Sequence, residues 1–86
     1  MNFLIIYNTP HKQNLIEIDK LIQDFEIFQR INESSWIVHS ENSATLIKNE
    51  LSNRMGISDS ILVFEITRKW AVANAIDLGD WLEHNQ

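Results

Sequence analysis

Cysteine is absent from this chain, proline occurs once and glycine twice. Without cysteine there is no disulfide framework, no thiolate nucleophile and no cysteine-ligated metal, which fits a reducing compartment. Gly56 and Gly79 stand alone, so no glycine-rich phosphate loop can be built. No run approaches the ~20 apolar residues of a membrane span. The opening "MNFLIIYNTP" has no basic segment ahead of its short apolar run, so no signal peptide is expected, and the expected compartment is the cytoplasm. Bases are scarce as well: seven Lys and Arg face twelve Asp and Glu, for a net charge of −5. Phosphate contacts dominate nucleic-acid affinity, so an acidic surplus spread over the whole chain counts against a nucleic-acid partner. The only adjacent bases are Arg68 and Lys69.

What is present suits one domain over residues 1–86. The hydrophobic fraction is 44%, ordinary for a globular chain, but a chain this short buries only ~60–65% of its unfolded surface. No repeat, linker or low-complexity segment divides it.

Residues 2–8 predict a strand with two apolar faces, Phe3, Ile5 and Tyr7 on one and Leu4 and Ile6 on the other. Leu15, Ile18, Leu21, Ile22 and Phe25 form a helical stripe over residues 15–25, with Asn14 as N-cap and Glu17 completing a capping box. Residues 26–31 and 34–39 predict two strands joined by a turn at Asn32-Glu33. A second helix is expected over about residues 43–55, with Ala44, Ile47, Leu51 and Met55 inward and Gly56 in the C′ position. "SILVFEIT", residues 60–67, predicts a fourth strand, "KWAVAN", residues 69–74, a short fifth, and Asp77 to Asp80 begin a last helix holding Trp81 and Leu82.

The order β-α-β-β-α-β, with a short strand and helix appended, is the split βαβ unit. The expected fold is therefore α+β and ferredoxin-like: both helices on one face of an antiparallel sheet. The other face is open, yet the first and fourth strands have no polar side to give it. A contiguous apolar patch of this kind rarely stays wet. A homodimer is the expected solution, since a self-complementary patch closes it. The alternative is that the C-terminal segment covers it.

Four stretches, taken in order and spacing, carry a family resemblance: "FLIIYN", "SSWIVHS" leading into "ENSATLIKNEL", "DSILVFEI" followed by "KWA", and "DWLEHN". The chain resembles the short SinR family proteins of bacteria and phages, which are similar in fold to the CRISPR-associated protein two family. The resemblance implies a ferredoxin-like protomer and a dimer through the sheet side. In the CRISPR-associated relatives an aspartate ends the first strand, and one from each protomer is read as a ligand for a divalent metal that drives phosphodiester cleavage. Carried onto this sequence, that aspartate falls at Asn8.

Asn8 is neutral. Sites for Mg²⁺ or Mn²⁺ draw most of their attraction from carboxylates, and an amide cannot take a proton from water. The structural reading of Asn8-Thr9-Pro10 is a turn. His11, His39 and His84 lack metal-ligand spacing. Ser34, Ser35, Ser40 and Ser43 lie near His39 in sequence but without the acid and oxyanion hole of a triad. Arg68-Lys69-Trp70 is the one basic-aromatic cluster. It either stacks on a nucleic-acid base or, as we favour, guards an edge strand while Trp70 packs. Asp77, Asp80 and Glu83 give the last helix an acidic face, two of them at the end that the dipole favours.

Three function classes follow. The favoured one is a small non-catalytic, homodimeric interaction or accessory protein with no cofactor, whose partner is another protein. The second is a divalent-metal-dependent nuclease, with Mg²⁺ or Mn²⁺. The third is a non-cleaving nucleic-acid binder, which requires Arg30, Arg68, Lys69 and Trp70 to serve one surface.

Overall fold

The computed structural model describes residues 1–53, 55–67, 69–73 and 76–85. Its elements are β1 (Asn2–Asn8), α1 (Lys12–Gln23), β2 (Ile27–Asn32), β3 (Ser35–His39), α2 (Ala44–Ser52), β4 (Ser60–Ile66) and α3 (Ile76–His84). The strands form one antiparallel sheet in the order β2-β3-β1-β4. The α+β, ferredoxin-like arrangement expected from the sequence is the one observed.

Alternation along β1 sorts its side chains as the sequence implies. Phe3, Ile5 and Tyr7 are fully buried, together with Trp36 and Val38 of β3 and Ile18, Ile22, Ile47 and Leu51 of the two helices. Ile61 and Val63 of β4 pack against the same core. This is the helix-covered face. Its partners follow from the register, in which Phe3 opposes Val38 and Ile5 opposes Trp36 and Val63.

The second face carries Leu4, Ile6, Ile37, Leu62 and Phe64, which oppose one another across the strands. The C-terminal segment covers part of this face. Ile37 is 1% exposed and Leu82 of α3 is 3% exposed, and neither belongs to the core beneath α1 and α2. α3 contacts β2, so it covers the β2–β3 side. On the β4 side Leu62 and Phe64 remain 47% and 51% exposed.

The expected fifth strand does not form: residues 69–73 are irregular, and Asn74 lies outside the described residues. Topology gives the reason. β4 is one edge of the sheet and α3 packs on β2, the other edge. The connection must cross three strand spacings, ~14 Å, and a segment paired along β4 cannot also make that crossing. Gly79 helps to seat the helix after it, because a Cβ there would lie 3.2 Å from a Val72 methyl carbon.

The predicted helix ends also shift. α1 starts at Lys12, with His11 as N-cap and no side-chain cap bond, so Asn14 and Glu17 lie inside the helix and form no capping box. α2 ends at Ser52 with Asn53 as C-cap, which leaves Gly56 beyond the C′ position. Ser43 caps α2 as expected of a serine there, its hydroxyl accepting the Leu46 N–H at 3.2 Å. The β2–β3 turn falls on residues 33–34, one residue later than predicted. Asn32 shapes it by accepting the Ser34 N–H at 2.9 Å and the Ser35 hydroxyl at 2.6 Å.

Candidate functional site at the end of β1

Asn8 is the last residue of β1, exposed, and paired with Ser60 at the start of β4. Beyond it the Thr9 hydroxyl accepts the His11 N–H at 3.1 Å, a turn that bends the chain around Pro10 into α1. Position 8 therefore sits where the strand stops, one residue past the fully buried Tyr7 and, by alternation, on the opposite face from it.

A carboxylate that the sequence did not single out, Asp59, lies beside Asn8's strand partner. It precedes β4, next to Ser60. Its Oδ2 accepts from Asn14 Nδ2 of α1 at 2.8 Å and from the Gly56 N–H at 2.8 Å, tying the α2–β4 connection to the first turn of α1. Oδ1 is buried and has no hydrogen-bond partner among the described residues. The neighbouring Thr9 hydroxyl, then the Gly56 N–H, then Asn14 and the charge on His11 hold this carboxyl below its ordinary value of 3.8, against the opposing effect of burial. A lowered folded value means stabilisation that is complete above the ordinary value and is lost as pH falls through the folded one. Melting curves over an acid pH series should show wild type losing stability below about pH 3.8. Asp59→Ala should be less stable at neutral pH and lack that portion of the acid loss.

Behind β1 lies a second polar assembly. The Tyr7 hydroxyl donates to Asp19 Oδ1, and Trp36 Nε1 donates to the same oxygen at 3.1 Å. Arg30 Nη2 pairs with Asp19 Oδ2 at 2.7 Å. The Arg30 guanidinium also lies 4.3 Å from the Trp36 ring centroid, while Phe28 meets that ring edge-on at 5.6 Å. Burial, followed by the bond to Asp19, pushes the Tyr7 phenol up to about 12. It therefore stays a donor at neutral pH. Arg30 is thus held by a carboxylate and an aromatic ring on the helix-covered side of β2.

The other sequence-predicted contacts are scattered. Lys69 is exposed, three residues past β4, the edge strand opposite to Arg30's. Its backbone N–H donates to the Thr67 hydroxyl at 3.2 Å. Trp70 is half-buried, and its Nε1 is buried with no hydrogen-bond partner among the described residues. Arg68 lies outside the described residues. His39 Nδ1 meets Asn2 Oδ1 at 2.7 Å and His84 Nδ1 meets the Asp80 carbonyl at 2.8 Å, so these rings serve separate contacts. Among the described residues no group of three or more His, Cys, Asp or Glu is placed to hold a metal ion.

This chain is similar to Cas2 of Streptococcus pyogenes in its crystal structure, at 26% identity and a TM-score of 0.64, over 81% of this chain and 90% of that one. The fold is Cas2-like. No family model and no curated protein matches the chain, so the narrower resemblance to the SinR family gains no support.

On this Cas2-like frame the donors at the end of β1 do not suit a divalent metal. Asn8 offers a neutral amide oxygen. Asp59, one residue before Asn8's strand partner, has one oxygen engaged by Asn14 and Gly56. Hard cations of this kind need several oxygen ligands with charged carboxylates among them. Within the single chain the arrangement is a braced strand exit.

Proposed function

We propose that this protein is a non-catalytic interaction protein, homodimeric and cytoplasmic, that uses a Cas2-like scaffold without nuclease chemistry. The neutral side chain of Asn8, at the position where the resemblance implies a metal-binding aspartate, carries the reading. Asp59, the neighbouring carboxylate, is committed through Oδ2 to the brace to α1. The net charge of −5 and the engagement of Arg30 by Asp19 both weigh against a phosphate-binding surface. The apolar strip at Leu62 and Phe64 favours a second copy as the cover of the sheet, since a twofold axis closes such a strip on itself. No helix among the described residues is long and apolar enough to cross a membrane.

The test is a cleavage assay on labelled single- and double-stranded RNA and DNA, with Mg²⁺ or Mn²⁺ and with chelator. Wild type should be inert in every arm. Metal-dependent cleavage that disappears in Asn8→Ala would make this an enzyme and end the non-catalytic reading. Cleavage gained by Asn8→Asp over an inert wild type would identify the missing carboxylate as the reason for that inertness.

A further inference from the structure

We propose that the groove at the C-terminal ends of α1 and α2 docks a basic, partly apolar segment of a protein partner. The proposal rests on the interaction reading above and gives that partner a chemistry.

A cavity of about 830 Å³ opens between the end of α1, the start of β2, the β3–α2 connection and the end of α2. That is within the ~300–1,000 Å³ of typical ligand sites. Its apolar lining is Leu21, Phe25, Ile27 and Leu51. Its acidic lining is Asp24, Glu26, Glu41 and Glu50, with His39 the one basic group among the described lining residues. The ion pair found among the described residues, Arg30 with Asp19, involves none of these acids.

Helix stability does not explain this charge. A helix C-terminus carries about half a negative charge, which favours a base and disfavours an acid. Yet Asp24 is the C-cap of α1, and Glu50 lies in the last turn of α2, which has no basic residue. Lys20 answers the dipole of α1 but does not line the groove. Two helix ends and four carboxylates therefore add their fields over one apolar floor.

The complement is a segment that alternates Lys or Arg with aliphatic residues. A long basic side chain lays its methylene stem on apolar surface and keeps its charge at the rim, and charge-assisted bonds to carboxylates are the stronger kind. An acidic or purely polar segment satisfies only one half of the groove, or neither.

The probe is a short fluorescein-labelled peptide of alternating Lys and Leu, titrated into the full chain while its amide spectrum is recorded. Binding should move the resonances of Asp24, His39 and Leu51. Peptides with Glu in place of Lys, or Ser in place of Leu, should bind roughly tenfold more weakly or worse. Glu26→Gln with Glu50→Gln, both at exposed positions, should cost about the same. Asp77→Asn with Asp80→Asn, on the acidic face of α3, should cost nothing. The proposal is overturned if no peptide binds, if the Lys-Ser peptide binds equally well, or if the α3 variant loses as much as the groove variant. Mapping on wild type keeps the test decisive should the groove variant unfold. A chain that is inert to nucleic acid but fails to bind the peptide loses the groove and keeps the non-catalytic reading; cleavage by wild type does the reverse.

Discussion

Replacing Phe64 by aspartate is expected to turn the proposed dimer into a folded monomer. Phe64 and Leu62 project from β4 on the face that α3 leaves open, and each is about half exposed in the single chain. Fully burying such a side chain contributes roughly 1.5–3 kcal/mol, so covering the exposed half contributes about 1 kcal/mol. A twofold axis counts each substitution twice, and each aspartate would also have to leave water. The dimer dissociation constant should therefore rise at least ~100-fold, since every 1.4 kcal/mol is a factor of ten. Light scattering should report one chain mass, 10.1 kDa, for the variant and twice that for wild type. Leu46, 54% exposed on α2, is the control: Leu46→Asp should leave the mass of wild type unchanged. A monomeric wild type at high concentration, or a dimeric Phe64→Asp, would remove the sheet-face dimer.

The two-faced character of β1 and β4 was readable because the side-chain period of a strand is two and leaves no freedom once one face is core. Hence Phe3, Ile5 and Tyr7 share one face as alternation puts them, whereas the placing of Leu62 and Phe64 on the open side came from the register with β1. What local pattern could not supply was anything fixed by distant residues. Asn14 reads as an N-cap within its own four residues, but its partner is Asp59, 45 positions away. The strand exit through Thr9 and Pro10 had already started α1 at Lys12. "KWAVAN" has the composition of a strand, yet the chain needs that stretch to reach β2. Asp19 carries no signal of its own, because a lone acid on a helix reads as solvated. Its signal lay elsewhere, in a buried Tyr and a buried Trp whose polar ends must each find a partner. At the site, the sequence marked position 8 and its missing charge. It did not reveal the brace at Asp59 or the grip of Asp19 and Trp36 on Arg30.

That grip is the basis of the largest stability effect expected here. Asp19→Ala removes the acceptor of two donors at once, Tyr7 Oη–H and Trp36 Nε1–H, on residues 0% and 3% exposed. It also leaves Arg30 over the indole without its carboxylate. Each buried donor that loses its short partner costs about 1–3 kcal/mol, and only long contacts of 3.4 Å remain, from the Tyr7 hydroxyl to the Glu33 carbonyl and from Trp36 Nε1 to the Tyr7 oxygen. The exposed side of the Arg30 pair adds little, because water screens it. A total of about 3–4 kcal/mol follows, a large share of the stability of a small domain. At roughly 4–8 °C per kcal/mol for this size, the melting temperature should fall by about 15–25 °C. Asp19→Asn keeps one acceptor oxygen and should fall by less than half as much. The double variant Asp19→Leu with Tyr7→Phe discriminates further. It withdraws one donor together with its acceptor, so it should be more stable than Asp19→Ala if the unpaired hydroxyl, and not the lost ion pair, dominates the loss. Thermal melts followed by far-ultraviolet circular dichroism decide among these. Equal melting temperatures for wild type and Asp19→Ala would mean that the Tyr7 and Trp36 donors find water when the carboxylate is gone, and that the core beneath α1 is looser than the burial of Tyr7 implies.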